Sequence, residues 1–177
     1  MLFSIYPSDT ADVREAVVAQ ALASGGGTVF TSLHIPETSG LERFGDYLAD
    51  LHRRHGLTFC ADVSPGTLGQ LSCDIDDLGR LRGWGVDTVR IDFGFDADET
   101  RRIAASGGFR IAVNASTADA DLLDLLDGLD LVGWHNFYPR PETGLSEAYF
   151  VAQSELFTRR GLDLFTFIPV SYTHLTL

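Results

Sequence analysis

The chain is 177 residues long, 45% hydrophobic and 21% charged, with a formal net charge of −12, a size and apolar share that suit one soluble globular domain with a real core. The negative balance repels a nucleic-acid backbone or an anionic membrane surface, so neither is an expected partner. All thirteen basic residues are arginine, and a chain without lysine can be neither a Schiff-base aldolase nor a pyridoxal-phosphate enzyme, because both need a lysine amine.

Seven apolar runs rich in β-branched or aromatic residues recur along the chain: LFSIYP, TVFTSLHIPE, LTFCADVSP, TVRIDFGF, FRIAVNAS, LDLVGWHNFYPR and LDLFTFIPV. Each reads as a strand closing in polar residues. Helical spacing appears between them, first in SDTADVREAVVAQALAS, where Ser8 or Asp9 can cap and Val13, Ala16, Val17 and Ala21 form one stripe. LERFGDYLADLHRRHG, DIDDLGRLRGWG, DADETRRIAASGG, TADADLLDLLDG and GLSEAYFVAQSELFTRRG follow, all five finishing in Gly as helix ends favour.

Strand and helix alternate with short connections, which predicts a parallel sheet with helices outside it. Near-continuous apolarity of the strands predicts burial on both faces. The spacing suits an α/β (β/α)8 TIM-type barrel, and seven strands leave it truncated after strand 7, over residues 1–170. An open doubly wound sheet lacks its GxGxxG turn here, since Gly25, Gly26 and Gly27 precede a strand instead of following one. The closing SYTHLTL, residues 171–177, has no cap, turn or following helix and reads as a foreign tail, so His174 is given no function.

Cys60 and Cys73 lie in different predicted elements without CxxC spacing, and no secretory leader or spanning apolar run is evident. The expectation is a cytoplasmic protein with reduced thiols, Cys60 being a small core residue of its strand.

In such a barrel the active site gathers at the C-terminal ends of the strands. Those ends carry Tyr6; His34 and Glu37; Asp62 and Ser64; Arg90 and Asp92; Asn114 and Ser116; and His135, Asn136, Tyr138 and Arg140. Plainer roles exist for each: Asp62 as an Asx-turn residue, Arg90 and Asp92 as an ion pair within a barrel layer, His34 in the core, Asn114 as a cap. Together, Glu37, Asp62 and Asp92 supply the carboxyls that glycoside cleavage needs, one to protonate the leaving oxygen and one as nucleophile or base. The same acids with His34 or His135 would suit a divalent metal in a sugar-phosphate isomerase or epimerase, but no HxH or HExxH spacing supports a metal site. Arg140 with Thr143 and Ser146 at the start of the next helix suits a phosphate, through a guanidinium and free backbone N–H groups.

The stretches SIYP, FTSLHIPE, DVSP, RIDFGF, NAS, HNFYPRPETGLS and FIP, in this order, resemble the 6-phospho-N-acetylmuramidase (MupG) family from Phe3 to Pro169. The resemblance implies a cytoplasmic glycosidase of peptidoglycan recycling, with no cofactor. Its substrate would be a disaccharide of N-acetylmuramic acid 6-phosphate and N-acetylglucosamine. It implies Glu37, Asp62 and Asp92 as catalytic acids. Tyr6, His34, Arg90, Asn114, His135, Asn136 and Tyr138 would hold the sugars, and Arg140, Thr143 and Ser146 the 6-phosphate. The family's eighth barrel unit and its cyclophilin-like C-terminal domain have no counterpart here, which leaves an inactive sugar-phosphate-binding fragment as a further reading. Trp134 stands where the family commonly has Cys.

Overall fold

The computed structural model describes residues 3–33, 40–92, 94–106, 108–114, 131–137, 155 and 163–167. The chain divides into two compact units, Met1–Ala112 and Val113–Leu177. The first alternates β1 (Phe3–Ser4), α1 (Ala11–Ala23), β2 (Thr28–Ser32), α2 (Leu41–His55), β3 (Thr58–Val63), α3 (Pro65–Leu71), a 3-10 helix (Ile75–Trp84), β4 (Val86–Ile91) and α4 (Ala97–Ala105), and reaches β5 (Arg110–Asn114). The second contains β6 (Leu131–Phe137) and β7 (Asp163–Phe167), which pair in parallel with His135 opposite Phe165 and Asn136 opposite Thr166.

Strands β1 to β5 lie in chain order in one sheet, and each pairing from β1 to β4 is parallel. Parallel neighbours need a crossover, which the helices provide. The result is the expected α/β architecture, a parallel sheet flanked by helices. Burial along β2, β3 and β4 is nearly unbroken, as their continuous apolarity requires. The core is built from Val29, Phe59, Ala61, Val63 and Val89 of the strands and Leu48, Leu51, Leu78, Leu81 and Ile103 of the helices, all 5% exposed or less.

Local chemistry sets the helix ends, in places away from the predicted positions. Thr10, not Ser8 or Asp9, caps α1, its side chain accepting from Val13 N at 3.4 Å. Asp9 turns back instead, Oδ2 accepting from Tyr6 N at 2.7 Å. The DIDDLGRLRGWG stretch folds as a 3-10 helix, capped by Asp74, whose Oδ1 accepts from Ile75 N at 2.6 Å. Its two internal glycines, Gly79 and Gly83, disfavour a regular α-helix. The short α3 was not foreseen. Pro65 at its first position supplies a preset φ. In α4, Asp96 and Glu99 cap reciprocally at 2.8 and 2.9 Å. The predicted helices TADADLLDLLDG and GLSEAYFVAQSELFTRRG, and the SYTHLTL tail, lie outside the described residues apart from Glu155. No helix among the described residues is long and apolar enough to cross a membrane.

Candidate active site

Strand register builds the site from the sequence. Thr28 pairs with Thr58, Phe30 with Cys60 and Ser32 with Asp62; Cys60 in turn pairs with Thr88 and Asp62 with Arg90. Successive residues of a strand point to opposite faces, so these residues form three rows on one face. The charged row lies at the strand ends: two threonines come first, then Phe30, Cys60 and Thr88, then Ser32, Asp62 and Arg90.

The top row is an ionic cluster. Arg90 Nε and Nη2 donate to Asp62 Oδ1 and Oδ2 at 3.0 and 2.6 Å, the bidentate geometry a guanidinium and a carboxylate prefer. Ser32 Oγ adds a bond to Asp62 Oδ2 at 3.3 Å. Asp62 is 2% exposed, Arg90 5% and Asp92 7%. The Arg90 guanidinium lies 4.8 Å from the centre of the Phe30 ring, and Tyr6 meets that ring edge-on at 6.3 Å between centroids. Burial raises the Asp62 carboxyl to about 6, against the pull of Arg90 and with a further push from Asp92.

Backbone bonds fix the strand ends around the cluster. Leu33 N donates to Asp62 O and Asp92 N to Val63 O, both at 2.9 Å. Thr67 Oγ1 accepts from Ser64 N at 3.1 Å and donates to Leu33 O at 2.9 Å, tying α3 to the end of β2. Ser64 Oγ is buried with no hydrogen-bond partner among the described residues. Cys60, one row below, is 3% exposed with its thiol pushed up to about 12 by burial, an inert core residue as expected.

The structure therefore brings together three of the predicted site residues, Asp62, Arg90 and Asp92, with Tyr6 linked to them through Phe30. Arg90 takes Asp62 of the neighbouring strand as its bidentate partner, whereas sequence alternation suggested a pairing with Asp92. Asn114 ends β5, and His135 and Asn136 sit in β6; their side chains lie outside the described part. His34, Glu37, Tyr138, Arg140, Thr143 and Ser146 also lie outside the described residues. Sequence reasoning missed Ser32, Phe30 and Thr67. Ser32 stands at a strand end and was detectable by type, but only register puts it opposite Asp62. Among the described residues no group of three or more His, Cys, Asp or Glu has metal-holding geometry. A separate cleft of about 370 Å³ opens between α1 and α2, lined by Arg14, Arg43, Phe44 and Tyr47 among others.

Comparison with known proteins gives this arrangement a context. A family model described as "6-phospho-N-acetylmuramidase, N-terminal" matches residues 3–176. Two crystal structures are similar to the chain. One is a conserved protein from a locus in Enterococcus faecalis with an unknown function: TM-score 0.70, 25% identity, 95% of this chain and 48% of that one. The other is an uncharacterized B. cereus protein: TM-score 0.63, 25% identity, 92% of this chain and 45% of that one. The chain thus spans about half the length of both. No curated protein matches.

Proposed function

The chain belongs to the 6-phospho-N-acetylmuramidase family, through its N-terminal domain, and on that premise we propose that the whole protein is a glycoside hydrolase. Its substrate would be a disaccharide joining N-acetylmuramic acid 6-phosphate to N-acetylglucosamine, an intermediate of peptidoglycan recycling in the cytoplasm. The observation that carries the reading is the buried row of Ser32, Asp62 and Arg90 at the C-terminal ends of adjacent parallel strands, with Asp92 beside it, within a chain matched over 3–176. A parallel α/β sheet places its chemistry at that end.

In this reading Glu37, Asp62 and Asp92 form the acidic set, of which two carboxyls act in the cleavage. Protonation of the bridging oxygen by one lets the glycosidic C–O bond break. The other takes the sugar carbon or directs water to it. Tyr6, His34, Arg90, Asn114, His135, Asn136 and Tyr138 hold the sugars. Arg140 with Thr143 and Ser146 takes the 6-phosphate, which explains arginine at the mouth of an acidic chain.

The test is incubation with N-acetylglucosaminyl-N-acetylmuramic acid 6-phosphate and with its unphosphorylated twin, products being read by mass spectrometry. Cleavage of the phosphorylated form alone supports the proposal, and Arg140→Gln should then raise KM by at least ~10-fold. Failure of a folded, full-length protein to cleave either compound refutes it.

A further inference from the structure

We propose that Asp62 is a positioning residue, whose carboxylate fixes Arg90, and that the neighbouring Asp92 is the catalytic carboxyl of this pair. The inference rests on the glycosidase reading for the word catalytic, but the division of labour comes from geometry.

Asp62 has little acceptor capacity left. Both of its oxygens accept from Arg90, at 3.0 and 2.6 Å, and Oδ2 also accepts from Ser32 at 3.3 Å. It is 2% exposed, so a sugar oxygen reaching it would have to displace a guanidinium that is itself buried. Leaving that cation without its carboxylate is the costly arrangement that buried ion pairs avoid. The backbone on either side is also fixed, since Asp62 O accepts from Leu33 N. Such a group holds other groups in place and does not meet the substrate.

Asp92 stands differently. It lies two residues beyond Arg90, on the same face and closer to the end of the sheet where the site opens. Its own N–H is bound to Val63 O at 2.9 Å, which sets it beside the end of β3 and next to Asp62. Asp92 in turn raises the Asp62 carboxyl, as a second acid close by does. Arg90 thus gives its bidentate grip to the inner of two buried acids, and the outer one is set at the strand end by its backbone bond to Val63. The Phe30 ring packs against Arg90 as well, its centre 4.8 Å from the guanidinium.

Kinetics of Asp62→Asn, Asp62→Ala and Asp92→Asn in the full-length protein on the phosphorylated disaccharide test the assignment. Asp92→Asn should lower kcat by ~1000-fold or more with KM changed less than ~3-fold, as loss of a reacting group does. Asp62→Asn should retain at least ~10-fold more activity than Asp62→Ala, because the amide oxygen still accepts one Arg90 bond, and should move the acid limb of the pH profile. Equal inactivity of the two Asp62 variants alongside an active Asp92→Asn enzyme overturns the proposal. Nitrogen-15 NMR of the Arg90 Nε–Hε group supplies a readout that needs no turnover: its slow solvent exchange should collapse in Asp62→Ala and persist in Asp92→Asn. An Nε–Hε signal indifferent to Asp62→Ala overturns the positioning role whatever the activity. If the wild-type protein cleaves nothing while that signal behaves as expected, the glycosidase reading and the catalytic role of Asp92 fall, and the hold of Asp62 on Arg90 stands.

Discussion

Gly45, in the middle of α2, lies against the indole of Trp84 at the end of the 3-10 helix, so closely that a Cβ built on Gly45 would overlap Cε2, Cζ2 and Cδ2 of the ring. Two effects oppose each other at this position. Replacing a helix-interior glycine by alanine ordinarily stabilises by about 1 kcal/mol. Here the added methyl must displace a large, rigid side chain that is itself buried, at 8% exposure, and overpacking of that kind costs about 1–3 kcal/mol. The second effect wins. Gly45→Ala should lower the urea midpoint and change the tryptophan emission of the native state. An unchanged or raised midpoint would mean that α2 and the 3-10 helix slide apart freely.

Two fully buried threonines should respond with opposite signs to the same substitution. Thr31 on β2 has a hydroxyl without a hydrogen-bond partner among the described residues. Burying such a group costs about 1–3 kcal/mol, so Thr31→Val, nearly isosteric, should stabilise by about 1 kcal/mol. Thr67 uses its hydroxyl twice, toward Ser64 N and Leu33 O. Thr67→Val should therefore destabilise by roughly 1–3 kcal/mol. Parallel denaturant titrations compare the pair, and equal shifts would contradict the bonding described.

Much of this was legible in the sequence because strand-to-helix alternation is a pattern of side-chain type. The runs around Phe30, Phe59 and Val89 announced strands buried on both faces, and the polar residues that close them announced a site. Partner identity was not legible. Arg90 and Asp92 lie two apart and share a face, which suggests each to the other, but Asp62 is 28 residues from Arg90 and only the register of β3 on β4 makes it the bidentate partner. Thr67 was invisible for a similar reason: its bond to Leu33 O joins residues 34 apart. The α3 helix, seven residues long, is too short to show helical periodicity, so only Ser64 before Pro65 hinted at it.

The two cysteines should separate cleanly by reactivity. Burial pushes the Cys60 thiol up to about 12, and the residue is 3% exposed, which at pH 8 leaves on the order of one molecule in 10⁴ as thiolate. Cys73 is half-buried, and its thiol is raised by burial as well. A disulfide reagent added to the native protein at pH 8 should therefore titrate about one thiol, slowly, and both thiols in denaturant. Fast reaction of two equivalents under native conditions would mean that β3 opens.

The Asp62 carboxyl gives a pH dependence whose sign can be worked out. Its ordinary value of 3.8 rises to about 6 in the folded protein; burial is the largest cause, Arg90 pulls it down and Asp92 pushes it up. Between those values the folded state holds this proton more tightly than the unfolded chain does. Stability from the group is therefore fully present below about pH 4 and is lost as pH rises through about 6. A rise from 3.8 to about 6 corresponds to roughly 3 kcal/mol. Other carboxylates titrate over the same range, so the quantity to measure is a difference: unfolding free energy of the wild type minus that of Asp62→Asn, from urea titrations between pH 4 and pH 8. Loss of the Arg90 partner shifts this difference by an amount that need not vary with pH, whereas the proton makes it fall with increasing pH. A difference that rises instead would mean that attraction to Arg90 outweighs burial, and that the carboxyl stays ionised well into the acid range.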